Sequence, residues 1–457
     1  MSASWIDIPD RDRFWLRHAR MPVTLIDAAI APKLPEPDPE GLTQVDIELR
    51  DGAIAQVVPS SCVESSSTDV NLGGGQVWPC FIDMHMHLDK GHTWPRSPNP
   101  DGTFASALET VAGDRERHWQ AKDVYRRMEF ALKCCYAHGT QAVRTHLDAF
   151  APQAEISFEV FRHLREAWRD LVELQAVCLV PLEYFMTEAG ESLADLVAES
   201  GGVLGGVTAM GSELDAQLDR VFALAEERQL NLDFHTDESG NPEDITLRHV
   251  ADAAIARDFP GRIVCGHCCS LAVQPFDVAA TTIARVREAG IGIVSLPMCN
   301  MYLQDRLQQA SLSEQISTKA IAPRMTPRWR GVTLLHELKH QGIPVAVASD
   351  NCRDPFHGFG DGDMLEVFSQ SAKIAHFDMP YGNWPRTVTA TPAQLMGLGD
   401  IGTIAMGRPA NLVLFRGRSF SELLSRPQSD RVILRNGKAI DTTLPDYSEL
   451  DDLVDLA

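Results

Sequence analysis

Two histidines, His85 and His87, follow an apolar run and stand two positions apart in the sequence. In an extended strand, side chains at positions i and i+2 project from the same face. Two neutral imidazoles on one face can bind the same divalent transition metal ion. A His-x-His pair in a surface loop is usually only hydrated, so the metal hypothesis depends on what the rest of the chain places nearby.

The middle of the chain alternates short apolar runs with amphipathic segments of helical period, which predicts alternating strands and helices. Eight strands are predicted, at Cys80–His85, Ala142–His146, Leu174–Val180, Gly202–Val207, Leu230–His235, Arg262–His267, Ile291–Leu296 and Val345–Asp350. Helices are predicted at Ala121–Ala137, Ser157–Trp168, Asp215–Glu227, Pro242–Ala256 and Val278–Glu288. This pattern indicates the α/β class and a (β/α)8, TIM-like barrel with right-handed connections.

Both ends of the chain show shorter alternating patterns that are typical of antiparallel strands. The predicted terminal strands are Val23–Asp27, Val45–Leu49, Ala53–Val58, Gly407–Phe415 and Arg431–Gly437, with a hairpin turn at Asp51-Gly52. We therefore predict a small β-sandwich domain built from residues 1–75 and 396–457, on either side of a barrel formed by residues 76–395.

Residues that can bind metals end four of the predicted barrel strands. His85 and His87 follow the first strand, His235 ends the fifth, His267 ends the sixth and Asp350 ends the eighth. The carboxyl ends of barrel strands meet at one face, which is where barrel enzymes have their active sites. The sequence therefore predicts that these distant side chains converge.

The motifs at these positions resemble those of the amidohydrolase superfamily, and within it the cytosine deaminase-like branch. The chain is also similar to the members that hydrolyse N-isopropylammelide. The matching segments are His85-Met-His87-Leu-Asp89, Val143–Asp148, His235-Thr-Asp-Glu238, Gly266-His267, Asn300–Arg306, Ser349-Asp350 with Asp354-Pro355, and the terminal strand Gly407–Leu414. The resemblance extends over nearly the whole chain.

The resemblance implies one divalent metal ion, Zn2+ or Fe2+, bound by four residues: His85, His87, His235 and Asp350. Three imidazoles and one carboxylate suit such an ion and leave a position for water. No lysine ends the fourth predicted strand, where relatives with two metals carry a bridging lysine. This difference favours a site with a single metal.

The resemblance further implies hydrolytic deamination at a C=N carbon of a small nitrogen heterocycle. Glu238 would protonate a ring nitrogen, and Asp350 would carry the proton of the water to the departing amine. His267 would hydrogen-bond the nucleophile and stabilise the charge of the tetrahedral intermediate.

The predicted substrate-binding residues depart from those of cytosine deaminases. Leu182 stands where a glutamine would hold the pyrimidine edge, Asn351 replaces a second acid, and Phe356 replaces a tryptophan. A leucine would leave polar groups of cytosine unpaired, so we expect another ring with an exocyclic amine. Modified pyrimidines, aminotriazines such as N-alkylammelides and other cyclic ureas are candidates, with Glu183 and Asn351 as contacts.

Two other functions fit parts of the sequence. A cyclic amide hydrolase of the hydantoinase type would use the same fold, but such enzymes usually need two metals. A non-catalytic protein could keep the barrel for assembly, although such proteins typically lose metal ligands and this chain has the full set.

Several residues near the motifs have two interpretations each. Asp237 could orient a metal-bound histidine or cap the next helix, and these alternatives are equal on sequence alone. His146 and Asp148 could line the pocket or form structural hydrogen bonds, and Arg144 could be a buried paired cation. His92 and Trp94 could line the pocket, and residues 304–330 could form a lid or a plain connection.

The composition limits the partners. The 63 acidic and 41 basic residues give a formal charge of −22, which disfavours binding to nucleic acid and to anionic membranes. The first residues lack the pattern of a secretion signal, and no apolar stretch has the length of a membrane span, so we predict a cytoplasmic location. The expected partner is a small heterocyclic amine, and the sequence is compatible with a homo-oligomer.

Overall fold

A computed structural model describes residues 5–60, 69–306, 326–378, 380–399 and 401–454. Its strands are β1 Arg13–Pro22, β2 Leu42–Arg50, β3 Ala53–Pro59, β4 Val70–Asn71, β5 Val77–Pro79, β6 Phe81–Met86, β7 Thr140–Asp148, β8 Glu173–Leu179, β9 Leu204–Val207, β10 Leu232–Thr236, β11 Ile263–His267, β12 Gly292–Ser295, β13 Val345–Val347, β14 Leu412–Leu414, β15 Val432–Arg435 and β16 Lys438–Ala439.

The α-helices are α1 Phe104–His118, α2 Ala121–Ala137, α3 Gln153–Trp168, α4 Glu188–Glu199, α5 Leu214–Arg228, α6 Thr246–Arg257, α7 Phe276–Glu288, α8 Pro297–Leu303, α9 Leu335–His340, α10 Met364–Ile374, α11 Ala390–Met396, α12 Phe420–Leu424 and α13 Asp451–Val454. Four of the five predicted helices lie within observed ones. The fifth starts at Thr246 rather than Pro242, because residues 242–245 belong to the loop that leads into α6.

All eight predicted central strands are present, as β6 to β13, and every pairing between them is parallel. They form a three-stranded sheet in the order β6-β7-β8 and a five-stranded sheet in the order β9 to β13. Most residues of these strands are buried on both faces, as expected when helices cover a parallel sheet. The mixed α/β class is therefore confirmed.

Two further four-stranded sheets come from the ends of the chain. One has the order β3-β2-β1-β4, and the other, β16-β15-β14-β5, joins β5 to the C-terminal strands. The β2–β3 hairpin turns at Asp51 and Gly52, whose φ angles of 51° and 79° suit a two-residue turn. A side chain at position 52 would also meet the carbonyl oxygen of Asn436 at 2.9 Å, so only glycine fits there.

The predicted strand at Val23–Asp27 is wrong. The strand ends at Pro22, and Val23–Leu25 forms a 3-10 helix. Leu25 and Ile26 are buried against other parts of the chain, so the alternation of apolar and polar residues here reflects tertiary packing and not a paired strand. The predicted strands Val45–Leu49 and Ala53–Val58 are confirmed within β2 and β3.

The C-terminal strand predictions are confirmed in shortened form, as β14 and β15. The predicted domain boundaries stay a prediction, and β5, which lies just beyond residue 75, pairs with β14. No helix in the described part of the chain combines the length and apolar character needed to cross a membrane.

Candidate active site

Three imidazoles meet at the carboxyl ends of β6 and β10. The Nε2 atom of His235 lies 3.2 Å from Nε2 of His85 and 3.3 Å from Nε2 of His87. Two ligands about 2.0–2.1 Å from a tetrahedral ion are separated by about 3.3 Å. These distances therefore match those between histidine ligands of one metal ion.

Asp350 completes the cluster from the end of β13. Its Oδ1 lies 3.2 Å from His87 Nε2 and 3.8 Å from His85 Nε2, and both carboxylate oxygens lack a hydrogen-bond partner among the described residues. A bridge between Met86 and Asp350, with the Asp350 amide donating to the His85 carbonyl, places the carboxylate beside the histidines.

The chemistry of the donors fits a divalent cation. Burial lowers the pKa of the His85, His87 and His235 imidazoles well below the ordinary value, so the rings are neutral and able to bind a metal. A neutral His235 has one lone pair at most on Nε2 and cannot accept hydrogen bonds from both neighbours. A cation between the three rings and the Asp350 carboxylate would explain the close approach of the imidazole nitrogens and would give the carboxylate oxygens a partner.

Glu238 and His267 lie next to this cluster and contact each other. His267 Nδ1 is 3.3 Å from Glu238 Oε1. Burial lowers the pKa of His267 to about 3, and burial together with the charge of Asp350 raises the pKa of Glu238 well above its usual range. A raised pKa favours the protonated form of a carboxyl group and so suits it to act as a general acid.

Buried polar contacts below the cluster hold the strands that carry the ligands. Asp83, two residues before His85, accepts a hydrogen bond from the hydroxyl of Ser349, which lies two residues after β13. Arg144 is the predicted buried paired cation, with Nη1 2.7 Å from Asp233 Oδ2. His146 stacks on His85 with ring centroids 3.9 Å apart, so it lies against the cluster.

Lys90 forms a buried ion pair beside the cluster, with Nζ 2.9 Å from Asp148 Oδ1. Asp148 also pairs with Arg115, and its backbone amide donates to Asp89. Asp148 is thus a structural partner of Lys90, which lies three residues after His87. The ammonium group also stands 5.2 Å from the centre of the Phe356 ring.

The structure places the predicted substrate contacts in different environments. Leu182 is buried and packs towards Gly206, whereas Glu183 is exposed on the short 3-10 helix after β8. Asn351 is buried, and its Nδ2 donates to Asp354 at 2.7 Å. Phe356 is buried between Lys90 and Phe104. Their roles as substrate contacts stay predictions.

Asp237 caps a helix. Its carboxylate accepts hydrogen bonds from the backbone amides of Thr246 and Leu247, at 2.8 and 3.0 Å, and from the Thr246 hydroxyl at 2.6 Å. These residues start α6, so Asp237 satisfies amides that have no partner within the helix.

A cavity of about 560 Å3 opens to the surface among the segments that follow β6, β10, β11 and β12. Its lining includes Phe104, Asn241, Leu303, Gln304 and Trp329. Gln304 Nε2 also donates to the Glu238 carbonyl, which connects the cavity wall to the cluster. Of the predicted 304–330 segment, residues 307–325 lie outside the described residues.

His92 packs against Phe130 and Tyr447, which places it against α2 and the C-terminal segment.

Asn300 has no role in the predictions made from the sequence, yet its side chain contacts both His267 and Glu238. Asn300 opens one of the family-like motifs and follows β12, and that position was the available signal.

Comparison with known proteins identifies the family. The model of the amidohydrolase family matches residues 121–439. The chain belongs to the amidohydrolase family. The prediction of an amidohydrolase, a hydrolase of carbon–nitrogen bonds, is therefore confirmed, and the cluster described above is the candidate metal centre of this amidohydrolase.

Individual relatives cover nearly the whole amidohydrolase chain. It is 50% identical to the pterin deaminase of Rhizobium rhizogenes strain K84 over 455 residues, which are 99% of this chain and 100% of that protein. N-isopropylammelide isopropyl amidohydrolase of Pseudomonas sp. strain ADP is 23% identical over 387 residues, with 81% and 87% coverage. The structure of 5-methylcytosine deaminase from Klebsiella pneumoniae superposes with a TM-score of 0.76 at 22% identity, covering 95% and 98% of the chains.

Proposed function

We propose that this amidohydrolase is a metal-dependent deaminase that releases ammonia from an aminated nitrogen heterocycle of the pterin class. The observation that carries the proposal is the convergence of three histidines, Asp350 and Glu238 at one end of the parallel strands. The pterin deaminase relative, half identical over its full length, supports the choice of ring. A pterin carries its exocyclic amine on a C=N carbon, which is the bond type predicted from the sequence.

His85, His87, His235 and Asp350 would hold one divalent ion, with zinc or iron as the candidates. When bound, such an ion lowers the pKa of a coordinated water and makes a nucleophile available near neutral pH. Because Asp350 Oδ1 faces the histidines, Oδ2 is the oxygen that would take a proton and deliver it to the departing amine.

Glu238 would supply the second proton transfer. Its carboxyl group is largely buried, with 15% of the side chain exposed, and the raised pKa favours its protonated form. That proton would pass to the ring nitrogen next to the carbon under attack. The products are ammonia and a ring carbonyl, so one water molecule balances the reaction.

We also propose how the four sheets combine. The two parallel sheets together would form a closed (β/α)8 barrel, and the β-bridges from Val177 to Val203 and from Met86 to Asp350 support this closure. We also propose that the terminal sheets form a β-sandwich. The support is a shared apolar core that includes Leu16 and Ile47 of one sheet and Leu412 of the other.

The test is ammonia release from pterin, cytosine, 5-methylcytosine, guanine and N-isopropylammelide, measured with zinc-loaded and iron-loaded enzyme. We expect the highest kcat/KM with pterin and about one metal ion per active chain. Hydrolysis of hydantoin with two ions per chain would instead support the cyclic amide hydrolase. Absence of turnover with every ring would contradict the proposed function.

A further inference from the structure

His267 and Glu238 share one neighbour, the side-chain amide of Asn300. The Nδ2 atom of Asn300 lies 3.0 Å from His267 Nδ1 and 3.1 Å from Glu238 Oε1, and the latter two atoms are 3.3 Å apart. Asn300 is fully buried on α8, the short helix that follows β12. One amide nitrogen therefore faces two groups from other strands, His267 at the end of β11 and Glu238 on the loop after β10.

The chemistry of the amide determines which end faces inward. The nitrogen carries two N–H groups and can donate to both neighbours at once, to Oε1 of Glu238 and to Nδ1 of His267. Hydrogen positions follow from such networks, and this arrangement leaves Oε2 of Glu238 as the oxygen that carries the proton. The Asn300 oxygen points away and has no hydrogen-bond partner among the described residues.

This contact bears on where the proton of His267 resides. A neutral imidazole has one N–H group, and a ring nitrogen that accepts a hydrogen bond cannot carry it. A neutral His267 that accepts from Asn300 at Nδ1 therefore carries its proton on Nε2. The Nε2 atom is buried, lacks a partner in the described part of the chain and belongs to a ring that groups with His85 and Asp350.

We propose that Asn300 is a positioning residue that keeps the His267 proton on Nε2 and orients the Glu238 carboxyl group through Oε1. His267 Nε2–H then points at the place where a substrate oxygen develops negative charge, and Oε2 of Glu238 is left to meet the ring nitrogen. This catalytic consequence rests on the proposed deaminase function, whereas the placement of the proton does not.

The kinetic test replaces the amide donor by an oxygen of nearly the same shape. In Asn300→Asp both hydrogen bonds are lost, so we expect kcat to fall about 100-fold or more, the size seen when one charge-stabilising donor is removed. Metal content should be unchanged and KM should change much less than kcat. Met301→Ala is the matched control, because Met301 is the exposed next residue of the same helix.

A spectroscopic test measures the proton directly. Zinc-loaded protein with 15N-labelled histidine imidazoles is examined by long-range 1H–15N correlation, and the His267 signals are those missing from His267→Asn. We expect the Nε2–H tautomer in the wild type and a Nδ1–H form in Asn300→Asp, where the new carboxylate accepts a hydrogen bond from that N–H group. If Asn300→Asp does not fold, Asn300→Ser removes the same donor.

Two results would overturn the proposal: a wild-type His267 protonated on Nδ1, or an Asn300→Asp variant with unchanged tautomer and unchanged kcat. A lack of activity on every heterocycle would instead contradict the deaminase assignment. In that case the tautomer measurement still decides the role of Asn300.

Discussion

His235 Nε2 lies 3.2 Å from His85 Nε2 although 150 residues separate the two histidines in the chain. Both rings are buried, and the Nδ1 atoms of both lack partners in the described part of the molecule. So close an approach of neutral imidazoles is expected when both bind one cation.

The metal site is tested by removing one ligand. His235→Ala should reduce bound metal from about one ion per chain to a small fraction, as measured by elemental analysis of protein purified with zinc. Melting temperature should also fall, because an ion that binds only the native state stabilises it. His249→Ala, which removes a partly exposed ring on α6, should keep the metal. A full complement of metal in His235→Ala would exclude His235 as a ligand.

Glu238→Gln tests proton transfer. The amide cannot donate and regain a proton as the carboxyl group does, so we expect kcat to fall about 10²- to 10⁴-fold with the metal retained. The measurement is steady-state ammonia release together with metal analysis. Glu243→Gln is the control, because Glu243 is exposed on the same loop and should keep wild-type rates. Normal turnover by Glu238→Gln would show that another group moves the proton.

The Lys90–Asp148 pair tests the buried charges beside the cluster. The two side chains are 5% and 9% exposed, so Lys90→Met leaves a buried carboxylate with one cation fewer. We expect the free energy of unfolding to drop by about 3–5 kcal/mol in denaturant titrations. The exposed pair Arg169–Glu166, with side chains 64% and 71% exposed, provides the control Arg169→Met, which should cost less than about 1 kcal/mol. Equal effects of both variants would refute the prediction.

Asp237 distinguishes a helix cap from a partner of the metal ligands. Asp237→Ala removes three hydrogen bonds at the start of α6, so stability should fall by about 1–2 kcal/mol while metal affinity stays the same. Thr103→Ala, at the start of α1, removes a comparable cap and should behave alike. Loss of metal without loss of stability would assign Asp237 to the metal site.

Asp114 gives a pH-dependent prediction away from the metal. Burial opposes ionisation of this carboxyl group, but hydrogen bonds from Arg96 and Ser97 outweigh it and lower the pKa. A lowered folded-state pKa contributes stability that is fully present above about pH 4, the unfolded-state value, and is lost as the pH falls further. The difference in unfolding free energy between wild type and Asp114→Asn should therefore shrink from pH 7 to pH 3. A constant difference would mean that the pKa is not lowered.

The sequence was sufficient to predict the elements that have strong local patterns. Most of the eight central strands are short, largely apolar runs, and helices such as Ala121–Ala137 have clear helical periods, so hydrophobic pattern and period identified them. The prediction failed at Val23–Asp27, where alternating apolar residues are buried by contacts with distant segments. Pairing of Asp27 with Ile404, for example, cannot be inferred from local periodicity.

The sequence by itself determined the residue types of the site, their positions at strand ends and the family to which the chain belongs. Only the tertiary structure decided how these side chains meet: that His235 contacts both His85 and His87, that Asp237 caps α6, and that Asn300 lies between His267 and Glu238. The physical reason is that a hydrogen bond or a metal site depends on distances of about 3 Å between atoms. Those distances are set by the packing of strands and loops far apart in the chain, and no local pattern encodes them.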